Sequence, residues 1–222
     1  MLAASPCDAI VCVQKDHLKV IVSERSTMGI CMSVKRLTDT SRERILANPS
    51  EISLCFDLTD EDSGESSLTP NTERDPCFDE PECDLDKSWD VLCFLFCGAT
   101  YGTIPDENSF PSSFLYPESF PNSWVNLPDL FGLGPPWIYS SQEVKEIARF
   151  LNAQTEEQLR AKFTPAALME AEAYPSVWDQ YENNSSPEWE EVWLSFCGSL
   201  SELREFVQEA SERNLALMFY LA

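Results

Sequence analysis

Histidine is almost missing from this chain: His17 is the only one among 222 residues. Serine and cysteine nucleophiles ordinarily need an imidazole as general base, and zinc sites draw on it heavily. His17 falls in residues 1–27, which read as an extension ahead of the folded body, so those mechanisms find no partner within it. Positive charge is scarce as well, with 15 Lys and Arg against 38 Asp and Glu, a net charge of −23. Without a basic stripe to release counterions, nucleic acid and anionic membrane surfaces are excluded as partners. Glycine numbers only seven, and neither GxxxxGK[ST] nor GxGxxG follows a strand-like run, so no loop is built to cradle phosphate. No apolar run approaches about 18 residues, which excludes a membrane-spanning helix. The N-terminus lacks a basic region, an apolar stretch and a small-residue cleavage site, so no secretory leader is expected.

Nine cysteines are present, yet none stands in a CxxC pair, and an odd count leaves at least one unpaired. We therefore expect free thiols, a reducing cytoplasmic setting, and no metal site or cofactor. The fragment Asp60-Glu61-Asp62-Ser63-Gly64 has neither the alternate-position ligands nor the closing Glu of a calcium loop. Cys93 and Cys97, four apart within an apolar run, read as small buried hydrophobes.

What is there reads in order along the chain. Gly29–Leu37 alternates as a strand, with Ile30, Met32 and Val34 on one face, and Thr38 or Asp39 caps a helix ending at Asn48-Pro49. Residues 57–86 hold twelve acids and one base, and the part at about 57–83 reads as a solvated, unfolded acidic insertion. Asp86 caps a helix from Lys87 to about Cys97, closed by Gly98. The proline- and aromatic-rich segment at about 100–136 cannot form a long regular element and is expected to drape over the core. Ser140 with Glu143, Thr155 with Gln158, and Thr164-Pro165 open three helices. Ser186-Pro187 opens a long one, with Trp189, Val192, Trp193, Phe196, Leu200, Leu203, Phe206, Val207 and Ala210 at 3/4 spacing. Leu215–Leu221 reads as a closing strand.

Met28-Gly29-Ile30, Asp84-Leu85-Asp86-Lys87-Ser88-Trp89-Asp90, Leu133-Gly134-Pro135-Pro136, Ser140–Leu151, Leu159–Ala167 and Tyr174-Pro175-Ser176-Val177-Trp178-Asp179 occur in that order. With the long helix and terminal strand, they make residues 28–222 resemble the YfbM-like family, a mainly bacterial set of unknown function. The resemblance implies an α+β fold and no activity. The chain departs from it in its first 27 residues, in longer 57–83 and 104–130 stretches, and at Trp137, where the family often has Arg.

The expected architecture is thus a single α+β domain. A small, mostly antiparallel sheet includes the N- and C-terminal strands and packs against several helices. Two groups stand out as candidate binding residues. Asp86 and Lys87 can line a cleft with Trp89 as a platform, or Asp86 can cap a helix while Trp89 fills the core. Tyr174, Trp178 and Asp179 pose the same choice between pocket and packed turn. With no imidazole or phosphate loop in the body, the expected function is non-enzymatic recognition of a basic protein partner by an acidic surface. The alternative is a carboxylate-dependent hydrolase or a sugar-like ligand binder, with Asp86, Asp179, Trp89 and Trp178 around one pocket.

Overall fold

The computed structural model describes residues 10–14, 17–21, 29–56, 75–101, 103, 105, 109–115, 126–181 and 185–222. In chain order the strands and α-helices are β1 (Ile10–Gln14), β2 (His17–Ile21), β3 (Met32–Leu37), α1 (Asp39–Ala47), β4 (Cys83–Asp86), α2 (Trp89–Cys97), β5 (Trp137–Tyr139), α3 (Ser141–Ala153), α4 (Glu156–Lys162), α5 (Pro165–Glu170), α6 (Pro187–Glu212) and β6 (Ala216–Leu221). Short 3-10 helices span Pro49–Phe56, Pro76–Asp79 and Trp178–Gln180.

Every side chain of β6 is buried, which requires a central strand covered on both faces. It lies between β3 and β5 in an antiparallel sheet of order β4-β3-β6-β5, with Val34 opposite Phe219 and Leu37 opposite Ala216. The sheet therefore includes the first and last strands of the body, as expected, and sets them side by side. On one face Phe219 meets Phe114, Trp137 and Tyr139 at 5.6–5.9 Å between ring centroids. Arg36, on the same face, sets its guanidinium 3.9 Å from the Phe206 ring of α6. The opposite face is covered by irregular chain: Tyr220 packs on Phe56 and Phe131, and Lys35 bonds the Phe78 carbonyl and Glu82.

Helix starts follow local capping chemistry. Thr38 caps α1, reciprocal capping boxes open α3 at Ser140/Glu143 and α4 at Thr155/Gln158, and Thr164 and Ser186 cap the proline-led α5 and α6. The nine α6 positions expected to face inward are all buried.

Two expectations need correction. Within the acidic stretch, 57–74 lies outside the described residues, but 75–86 is part of the fold. Cys77, Phe78, Cys83 and Leu85 are buried, and buried Asp75 accepts bonds from Thr38 and from the Cys77 N–H. Charge density had masked a short alternating strand whose Cys83 and Leu85 point in while Asp84 and Asp86 point out. Second, Asp86 caps no helix. It ends β4 at φ 45°, and α2 starts at Trp89 after Ser88. β5 begins where the irregular 100–136 segment ends and carries no strand signal of its own, because only three residues pair with β6. In the extension, Ile10–Gln14 and His17–Ile21 pair as an antiparallel hairpin.

Candidate functional site

Ile30 precedes the first ladder pair of β3, so its backbone must find partners elsewhere. Two aromatic side chains supply them. The Tyr174 hydroxyl accepts from the Ile30 N–H at 2.9 Å, and the Trp89 indole donates to the Ile30 carbonyl at 3.2 Å. The two rings stack at 6.5 Å, and Tyr101 meets Trp89 edge-on. Lys87 and Tyr174 close so tightly over Gly29 that a β-carbon there would stand 2.2 Å from Lys87 Cε and 2.7 Å from the Tyr174 oxygen. Asp86 joins the group by accepting from Cys31 Sγ at 3.2 Å.

Asp86, Lys87, Trp89 and Tyr174 are thus assembled around the start of the body. Trp89 is only 1% exposed, so its ring faces are occupied by protein, and the outward polar groups are the Asp86 carboxylate and the half-buried Lys87. The other two candidates lie elsewhere. Trp178 is buried, donates to the Ala173 carbonyl at 2.6 Å and packs against Trp189 and Phe196 of α6. Asp179 is exposed on its short 3-10 helix.

Asp90 is the member sequence reasoning missed. It is 0% exposed, and its two carboxylate oxygens accept from the Tyr101 N–H at 2.6 Å and the Tyr174 N–H at 2.7 Å. Burial pushes its carboxyl up to about 6, against the lowering effect of the Tyr174 and Tyr101 bonds. An acid inside the apolar run Trp89–Phe96 was the available signal, since buried carboxylates persist only where donors meet them.

A cleft of about 350 Å³ opens beyond the end of α2, between Gly98, Ala99, Thr100 and Thr103 on one side and Glu170–Glu172 at the end of α5 on the other. None of the six candidate residues lines it. Cys97 does, contrary to the reading of both helix thiols as buried hydrophobes; Cys93 behind it is fully buried. Among the described residues, no group of His, Cys, Asp and Glu is arranged to hold a metal ion.

The four-stranded antiparallel sheet with helices packed against it defines a single α+β domain. The model of a family described as a domain of unknown function (DUF1877) matches residues 28–220, and the chain belongs to that family. It is also similar in fold to the crystal structure of YfbM from Escherichia coli, described as a protein of unknown function. The TM-score is 0.58 at 17% identity, covering 86% of this chain and 99% of that one. No curated protein matches the chain. Among the described residues, no helix is long and apolar enough to cross a membrane.

Proposed function

We propose that this domain acts by recognition, docking a basic protein segment on the outer face of α6. The observation that carries the reading is the composition of that face. Glu191, Leu194, Glu202, Glu205 and Glu212 recur at helical intervals opposite the buried stripe, and all are exposed. They span about 32 Å of helix. Leu194 is 60% exposed, the most exposed large apolar side chain among the described residues. An apolar anchor on a face that carries like charges along its length suits a partner that brings an apolar contact and opposite charge together. Nearby arginines are already engaged: Arg160 with Glu190, Arg204 with the Leu151 and Gln154 carbonyls, and Arg213 with Glu80 and Glu209. Net charge of −23 extends the same field over the molecule. Cys31, Cys77, Cys83, Cys93, Cys97 and Cys197 are free thiols, which supports a reducing, cytoplasmic setting.

The paired-carboxylate alternative gains no support from geometry, because Asp86 and Asp179 stand in different surroundings and neither lines the cleft. The test is affinity capture at about 50 mM and about 500 mM salt, a range over which screening of exposed charge steepens. Wild type is expected to retain a basic protein at low salt only. A variant combining Leu194→Asp with Glu191→Lys, Glu202→Lys and Glu205→Lys is expected to lose it. Capture that is insensitive to both salt and variant contradicts the proposal.

A further inference from the structure

The described thiols sit in unlike surroundings. Cys31 and Cys197 donate to carboxylates, Asp86 at 3.2 Å and Glu156 at 3.0 Å. Burial first, and adjacent carboxylates second, push Cys31 up to about 11 and Cys77, Cys83 and Cys197 up to about 12. Such thiols stay protonated and unreactive at neutral pH.

Cys97 differs in position and in company. It is the last residue of α2, half-buried, and lies on the wall of the 350 Å³ cleft. One turn back, the buried Cys93 holds its sulfur 3.7 Å from that of Cys97. Helix geometry sets the two Cα atoms about 6.2 Å apart, inside the roughly 4.4–6.8 Å that a disulfide spans. Gly98 follows at φ 79° and ends the helix there, so the last turn can yield while the sulfurs close to about 2.05 Å. Lys162 of α4 donates to the Leu95 carbonyl at 2.8 Å and brings positive charge to this end of α2. Cys97 Sγ also lies 3.3 Å from the Cys93 carbonyl, to which its thiol form donates, and the hydrogen bond shared by the two sulfurs lowers the Cys97 thiol most. The Ala99 N–H and Lys162 add to this, while burial and Asp90 oppose it, and the net direction is downward. Cys93 is held protonated, well above its ordinary value, by its bond to Cys97 and by burial.

We propose that Cys97 and Cys93 form a redox-active dithiol in which Cys97 meets a small neutral hydroperoxide in the cleft and Cys93 closes an intramolecular disulfide behind it. Glu170 and Glu172 on the cleft wall disfavour an anionic oxidant. In the first step the Cys97 thiolate attacks one peroxide oxygen, the O–O bond breaks, and the departing alkoxide takes a proton and leaves as an alcohol. In the second, Cys93 sulfur attacks the Cys97 sulfenic acid, the S–O bond breaks, and water leaves with the Cys93 proton. Two electrons pass from the dithiol to the peroxide, and an external dithiol reverses the change. This inference does not depend on the recognition reading.

The test uses the full chain, hydrogen peroxide as probe, and peptide mapping of all nine cysteines after alkylation. Wild type is expected to yield a Cys93–Cys97 disulfide that dithiothreitol reverses. Cys93→Ser is expected to stop at a Cys97 sulfenic acid that dimedone traps. Iodoacetamide labelling of unmodified protein needs no variant: Cys97 should react at least about tenfold faster than Cys31 and Cys197 at pH 7. Its rate should rise at lower pH than that of Cys31 or Cys197, among its ionisable neighbours Cys93 and Asp90 on α2, Lys162 on α4, and Glu170 and Glu172 on the cleft wall. Labelling of Cys97 no faster than of Cys31, or a disulfide mapped to other cysteines, overturns the proposal.

Discussion

A single hydrogen atom decides what can stand at position 29. The chain begins its folded body under a lid made by Lys87 and Tyr174, and any β-carbon collides with both. The Lys87 end can swing aside, but the Tyr174 oxygen is tied to the Ile30 N–H. Gly29→Ala is therefore expected to break that bond and lower the unfolding free energy by about 1–3 kcal/mol, measured by urea titration. A change within about 0.5 kcal/mol would show that the lid is loose. Asp90 makes a pH prediction at the same scale. Its folded value of about 6 lies above that of a solvated aspartate, about 3.9, so the folded state holds its proton longer. Its contribution to stability is then complete below about pH 4 and lost as pH rises through about 6. The wild-type unfolding free energy should fall over that window relative to Asp90→Asn, which has no proton to lose. Parallel pH profiles would place the Asp90 carboxyl in a more solvated site.

Elements whose signals are local are legible in the amino-acid sequence by themselves. Ser140/Glu143 and Thr155/Gln158 satisfy orphan N–H groups within four residues of chain, so their capping boxes need no tertiary context. The α6 stripe is equally legible, because nine apolar positions in one long helix leave no other period. Elements defined by partners are hidden. β5 is three residues long and exists through β6, and β4 is four residues inside an acidic stretch. The candidate site divides in the same way. Asp86, Lys87, Trp89 and Tyr174 come together, but Asp90 is invisible as a backbone anchor because its donors lie 11 and 84 residues away. The cleft beside Cys97 depends on where the end of α5 falls, which no spacing records. Asp86 offers an element-scale test of its turning role. At φ 45° a β-branched side chain is strained, so Asp86→Val should lower stability by about 1–2 kcal/mol, while Asp86→Gly should cost less. Equal losses in thermal melts would assign the role to the carboxylate instead.

At the scale of the molecule, one family model matches residues 28–220, and the four-stranded sheet and the described α-helices fall within that match, apart from the last residue of β6. The preceding segment adds a two-stranded hairpin, a unit that is at best marginally stable alone in water. Removing residues 1–27 spares Gly29 and the Ile30 clamp, so the melting temperature should stay within a few degrees; a fall of more than about 10 °C would make the hairpin part of the fold. Charge is the other whole-molecule property, and the recognition account places its working share on α6. Carbodiimide footprinting of carboxylates, with and without a basic-protein fraction of cell lysate at low salt, reads that share directly. The account predicts selective protection of Glu191, Glu202, Glu205 and Glu212. Unchanged labelling of these four, with protection appearing around Asp86 instead, would contradict it.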